Sequence, residues 1–190
     1  MRTKIIAEIG INHNGSMEIA KSLIDVASVA GCDFVKFQKR NPDVCVPEEQ
    51  KNKMRETPWG EMTYLDYKWK TEFDRNQYAE LFKYCEHRGI EMFASVWDKD
   101  SVDFMRQFTK VMKIPSALIT NLDLVEYARS HSDFLMISTG MSTEDEITRC
   151  VEAGDPSLIF HTNSSYPSPV EDLNLNYIDH LKETYPDKEI

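Results

Sequence analysis

The chain has 190 residues, 41% of them hydrophobic, and a formal net charge of −10 at pH 7. That length suits one domain with a real core but falls short of the about 250 residues a complete (β/α)8 barrel takes. The acidic balance disfavours non-specific nucleic-acid binding, which depends on lysine and arginine against phosphates, and no apolar run approaches the roughly 20 residues that cross a bilayer. No membrane span is expected. The opening Met1-Arg2-Thr3-Lys4 leads into a short apolar stretch without the length or cleavage site of a secretory signal, so the cytoplasm is the expected compartment. Cys32, Cys45, Cys85 and Cys150 form no C-x-x-C pair and read as buried, reduced thiols.

Lys4 to Ile9 reads as a first strand, ended by the loop Gly10-Ile11-Asn12-His13-Asn14-Gly15. Ser16 caps a helix carrying Ile19, Ala20, Leu23, Ile24 and Ala27, which stops at Gly31. Asp33 to Gln38 is the second strand. From 39 to 74 the pattern fails, with prolines at 42, 47 and 58 among mixed charges and aromatics, and a long lid or binding loop is expected. Tyr78, Leu81, Phe82 and Cys85 mark a helix closed by Gly89, and Ile90 to Val96 a third strand. The repeat then shortens. Val102, Met105 and Phe108 mark a helix, Val111 to Ile114 a strand, Leu124, Val125 and Ala128 a helix, and Phe134 to Ser138 a strand. Thr143 and Glu146 form a capping box, Leu158 to His161 is the sixth strand, and Leu175, Ile178 and Leu181 give a last helix before Pro186 to Ile190, the approach to a seventh strand.

Strands alternating with helices join through right-handed crossovers and build a parallel barrel or a doubly wound sheet. Polar residues at nearly every strand end favour the barrel, an α/β fold of the (β/α)8 TIM-barrel type truncated to about six β-α units, because strand carboxyl ends are where such barrels carry chemistry. Glu8, Lys36, Gln38, Ser95, Lys113, Ser116, Ser138, Thr139 and the run Asn163 to Tyr166 occupy those ends. Period two puts Lys36 and Gln38 on one face and Phe37 on the other. There Lys36 either meets a ligand or pairs with Glu8 on the adjacent strand. Two lysines with several hydroxyls describe an anion cradle. Of the five histidines, His87, His131 and His180 read as surface residues, His161 as a structural hydrogen-bonding group or a lumen ligand, and His13 as a loop-shaping or proton-transferring residue. No metal-ligand set is recognisable.

Ala7-Glu8-Ile9-Gly10-Ile11-Asn12-His13-Asn14-Gly15, Val35-Lys36-Phe37-Gln38, Lys113-Ile114-Pro115-Ser116, Ile137-Ser138-Thr139-Gly140-Met141 and Ser165-Tyr166-Pro167-Ser168-Pro169 resemble, in order and spacing, the successive motifs of the sialic acid synthase family. The resemblance implies condensation of phosphoenolpyruvate with an N-acylated aldose such as N-acetylmannosamine, giving a nine-carbon 2-keto acid and phosphate. It implies that Lys36, Lys113, Ser116, Ser138 and Ser164 hold phosphoenolpyruvate, that Glu8, Gln38 and Tyr166 meet the sugar, and that Glu8 and Lys36 are catalytic. It also implies a divalent metal, Mn2+ or Mg2+, with ligands beyond residue 190, and a homodimer or a complementing chain.

Three positions depart from the family pattern. Leu118 stands where a glutamate usually contacts the sugar, Val96 where a threonine helps bind phosphoenolpyruvate, and Ser164 where an asparagine is common, so the sugar stays open. Residues 1 to 190 read as an incomplete synthase barrel, without the family's carboxyl-terminal antifreeze-like domain, whose outer strands another chain or further sequence would close. Two other functions remain: a lysine Schiff-base aldolase using Lys36 or Lys113, and a non-catalytic anion-binding or assembly module.

Overall fold

The computed structural model describes residues 2–190, and the chain divides into two compact units, Met1–Ala94 and Ser95–Ile190. In the first, β1 (Ile6–Gly10) is followed by α1 (Met17–Val29) and β2 (Phe34–Lys39). Ser16 caps α1 by accepting from the Ile19 amide, and Ala20, Ile24 and Ala27, one helical face, are buried. β1 and β2 pair in parallel, Glu8 opposite Lys36, with a bulge between Glu8 and Gly10. The unit continues through α2 (Pro42–Cys45), α3 (Glu48–Lys51), β3 (Met54–Thr57), β4 (Gly60–Thr63), α4 (Tyr64–Lys70) and α5 (Arg75–Arg88) into β5 (Glu91–Val96), whose last two residues begin the second unit. α5 begins with a capping box of Asp74 and Gln77 and ends at Gly89, whose φ of 65° gives the left-handed stop.

Segment 39–74 therefore differs from the loop its sequence suggests. It holds two one-turn helices, an antiparallel hairpin and a third helix. Elements of four residues are too short to show a period, and Met54, Arg55, Glu56, Gly60 and Glu61 are all exposed, so the hairpin has no apolar face to reveal it. Ring contacts hold it instead: the Arg55 guanidinium lies 4.1 Å from the centre of the Tyr64 ring and Lys70 Nζ 5.1 Å from that of Trp59.

The second unit repeats the β-α pattern through α6 (Lys99–Met105), β6 (Val111–Ile114), α7 (Leu122–Ser130), β7 (Phe134–Ser138), α8 (Glu144–Gly154), β8 (Leu158–Phe160) and α9 (Tyr177–Thr184). The expected capping box of Thr143 and Glu146 opens α8. Gly154 lets α8 lie close on α7, since a Cβ there would stand 2.4 Å from Val125 Cγ1. β6, β7 and β8 are parallel, with Ile114, Ile137 and Ile159 in one fully buried row. Beyond β8, Glu189 bridges Leu158 in parallel, its carbonyl accepting from the Ile159 amide at 2.8 Å, where a further strand was expected.

The six-stranded sheet runs β1-β2-β5-β6-β7-β8, and β3-β4 stand apart. Each β-α strand thus lies beside the next in chain order, the order of a barrel and not the reversal of a doubly wound sheet. The fold is of the (β/α)8 TIM-barrel type, with six β-α units among the described residues. No helix there is long and apolar enough to cross a membrane. All four cysteines are free; Cys85 and Cys150 are buried, which pushes both thiols up to about 12, while Cys32 and Cys45 are only half-buried.

Candidate functional site

In the first unit, Val35 and Phe37 point toward the helices, Phe37 meeting the Tyr78 ring of α5 edge-on. Lys36 and Gln38 consequently lie on the opposite face of β2. Glu8, opposite Lys36 in register, accepts its ammonium at 2.5 Å; the lysine side chain is 10% exposed and the carboxylate 52%. This is the strand-to-strand pair the sequence allowed, and it leaves a carboxylate oxygen facing solvent. Gly10 (φ +57°) makes room beside it, because a Cβ at that position would lie 3.0 Å from Glu8 Oε1 and 3.7 Å from Gln38 Nε2.

Behind this group stands a buried ionic cluster. Glu72, directly after α4, has a side chain only 4% exposed and meets Lys39 Nζ at 3.1 Å and Arg40 Nε at 2.9 Å, the latter a contact of charges rather than of an aligned N–H. Lys39 also donates to the Phe73 carbonyl at 2.9 Å, and an Arg40 Nη2 hydrogen bond reaches Gln38 Oε1. His13 is buried against Phe73 with ring centres 4.2 Å apart, and its Nδ1 accepts from the Gly15 amide at 3.1 Å. Nδ1 is therefore unprotonated, and Nε2 carries the proton toward the Gly10 carbonyl. His13 shapes the loop.

Burial, ahead of the Arg40 charge, lowers the His13 pKa from 6.5 to about 4, with the Gly10 hydrogen bond opposing. Between those values the unfolded chain binds a proton that the folded chain refuses, so stability is complete above pH 6.5 and falls by about 3 kcal/mol on acidification to pH 4. Glu72 opposes this, since burial raises its pKa above 4.5 against the pull of Lys39 and Arg40, and its contribution is lost as pH rises through the folded value. Urea unfolding across this window should show a steeper loss of stability for the native chain than for His13→Gln. Equal slopes would exclude His13 as the source.

In the second unit, Leu135 faces α8 near Gly154, which puts Met136 and Ser138 on the other face of β7. Lys113, in register with Met136, shares that face with Phe160 and places its ammonium 5.8 Å from the ring centre. Lys113 and Ser138 are buried. Just beyond β7, the Gly140 amide donates to Ser116 Oγ at 3.1 Å and Thr162 Oγ1 at 2.9 Å, and those hydroxyls lie 3.2 Å apart. Ser164 belongs to the same cluster: a Cβ on Gly140 would stand 2.4 Å from its Oγ. One of the Ser116 and Thr162 hydroxyls donates to the other, which leaves one proton of that pair to donate to a ligand.

The structure thus brings Glu8, Lys36 and Gln38 together in one unit, and Ser116 and Ser164 together in the other, where Lys113 and Ser138 share one sheet face. Tyr166 is 94% exposed. His161 Nε2 donates to the Leu173 carbonyl at 2.7 Å, a structural bond of the kind expected. Arg40, Glu72 and Thr162 escaped the sequence reading. Arg40 lies two residues beyond Gln38 in a cationic run that signals it weakly; Glu72 and Thr162 carry no local signal, because their partners are 32 and 46 residues distant. Among the described residues no group of three or more His, Cys, Asp or Glu could hold a metal ion.

Residues 23–189 match the model of the NeuB family. The chain is 30% identical to an N,N'-diacetyllegionaminic acid synthase of Campylobacter jejuni, covering 97% of this chain and 58% of that protein. It is 34% identical to an N-acetylneuraminate-9-phosphate synthase of Drosophila melanogaster, covering 96% and 51%. It superposes on the crystal structure of an N-acetylneuraminic acid synthetase from Leptospira borgpetersenii, in complex with citrate, with a TM-score of 0.87 at 27% identity, covering 97% of this chain and 62% of that one. The chain spans about half the length of the curated relatives it matches.

Proposed function

We propose, from the premise that this chain belongs to the NeuB family, that it binds phosphoenolpyruvate and an N-acylated aldose and takes part in joining them into a nine-carbon 2-keto sugar acid with release of phosphate. The single observation that carries the reading is the hydroxyl cluster of Ser116, Thr162 and Ser164 at the Gly140 amide, just beyond the strands whose shared face bears Lys113 and Ser138. An acid that carries both a carboxylate and a phosphate needs that combination of point charges and O–H donors to replace its water.

In this reading Lys36, Lys113, Ser116, Ser138 and Ser164 hold the carboxylate and phosphate of phosphoenolpyruvate, while Glu8, Gln38 and Tyr166 meet the sugar. Carbon-3 of phosphoenolpyruvate forms the new bond to the sugar aldehyde carbon, whose oxygen takes up a proton. Carbon-2, left electron-poor, accepts a water oxygen. Glu8 orients that water and takes its proton, and Lys36, already at 2.5 Å, steadies the carboxylate. The adduct then expels phosphate by breaking its carbon–oxygen bond and becomes the 2-keto acid. Family membership implies a divalent metal as well, but the described residues do not fit one. An imine route has less support at Lys36, because an ammonium engaged by a carboxylate is not the neutral amine that attacks a carbonyl.

Calorimetric titration with phosphoenolpyruvate tests the reading. Saturable binding is expected, weakened about tenfold or more by Lys113→Met, since a charged hydrogen bond contributes roughly 1.5–3 kcal/mol. Absence of binding, or an unchanged affinity in the variant, overturns it.

A further inference from the structure

Gln38 has two ends of opposite hydrogen-bonding character, and which end faces a ligand decides what it recognises. Its neighbour Arg40 settles the choice. A guanidinium has five N–H donors and no acceptor, so the amide atom that meets Arg40 Nη2 is Oε1 on chemical grounds. The NH2 group must then point away from Arg40. It does so toward the space left open by Gly10, where a Cβ would lie 3.7 Å from Gln38 Nε2 and 3.0 Å from Glu8 Oε1.

Arg40 is itself held. Its residue is 6% exposed, its Nε stands 2.9 Å from Glu72 Oε1, and its backbone amide donates to Glu72 Oε2 at 3.4 Å. Glu72 is anchored in turn by Lys39, whose ammonium also meets the Phe73 carbonyl. The chain of contacts runs from the end of the 39–74 segment, through two buried charges, to one amide on the open face of β2.

We infer that Arg40 is a positioning residue, which turns the Gln38 amide so that its NH2 group, and not its carbonyl, is offered to a ligand oxygen beside Glu8. Resting on the function proposed above, this assigns the sugar side of the site a donor for an acceptor oxygen, such as the carbonyl of the N-acyl group. Glu8 supplies the complementary acceptor for a hydroxyl. The site then distinguishes an N-acyl aldose from the corresponding free amine, whose ammonium would meet a donor where it needs an acceptor.

Side-chain amide NMR of the 190-residue protein tests the inference. In the native chain the Gln38 NH2 signals should be those of an ordered group, and in Arg40→Met as mobile as an exposed glutamine; equal mobility in both overturns the inference. N-acetylmannosamine should shift the Gln38 NH2 signals, and Arg40→Met should weaken its binding about tenfold while phosphoenolpyruvate affinity stays within twofold. A parallel loss of both ligands would mark Arg40 as merely structural and overturns the inference. If N-acetylmannosamine binds neither protein while the Gln38 amide is ordered by Arg40, the positioning stands and the proposed function fails. Should Arg40→Met not fold, the double variant Arg40→Met with Glu72→Gln removes the carboxylate left with Lys39 alone, whose ammonium keeps the Phe73 carbonyl, and carries the same readouts.

Discussion

Gly15→Ala is expected to lose about 3 kcal/mol of stability, a fall in Tm of roughly 10 °C for a chain of this size. Two costs combine. Gly15 has φ +70°, a left-handed conformation that an alanine adopts only with strain, and its Cβ would stand 2.2 Å from the Lys70 carbonyl oxygen. That oxygen belongs to the backbone at the end of α4, so no rotamer change relieves the overlap; loop 10–15 or the end of α4 must move. Gly89→Ala is the control, with a similar φ of +65° and nothing within 4 Å of the new Cβ. It should cost only about 1 kcal/mol. Thermal unfolding of the two variants separates backbone strain from collision, and equal shifts would show that loop 10–15 moves away from α4 without cost. The same collision should disturb His13, which rests on Phe73 just beyond Lys70.

Gly140→Ala should behave in the opposite way, leaving the fold nearly intact while weakening phosphoenolpyruvate binding about a hundredfold. Its Cβ would meet Ser164 Oγ at 2.4 Å, Ser116 Oγ at 2.9 Å and Thr162 Oγ1 at 3.1 Å, all ends of short side chains that can rotate away. Rotation limits the stability loss to about 1 kcal/mol, the low end for overpacking. It also dismantles the hydroxyl cluster. Losing two donors to a charged ligand amounts to roughly 3 kcal/mol, hence the hundredfold change. Calorimetric titration beside urea unfolding of the same variant checks both halves. Undiminished affinity would remove Ser116, Thr162 and Ser164 from the binding site; a collapse of stability would make Gly140 a packing residue.

These glycines show how far local pattern reaches. Gly15 and Gly140 stand in motifs that carry the family resemblance, yet what each one makes room for lies far along the chain: Lys70 for Gly15, Ser116 and Thr162 for Gly140. The 39–74 segment makes the same point from the other side. Its hairpin and short helices are held by ring contacts and by Glu72 across more than thirty residues, and no periodicity records such contacts.

By itself the sequence determined the β-α alternation, the strands at 111–114 and 134–138, the capping box at Thr143 and Glu146, and the motifs that mark the family, because each depends on residues a few positions apart whose periods follow from backbone geometry. Only the tertiary structure decided that Glu8 pairs with Lys36, that Arg40 and Glu72 stand behind Gln38, that Thr162 joins Ser116 at the Gly140 amide, and that Tyr166 lies in solvent. Charges and hydroxyls act over a few ångströms of space, whatever their separation in the chain, and parallel pairing of distant strands is what sets that distance.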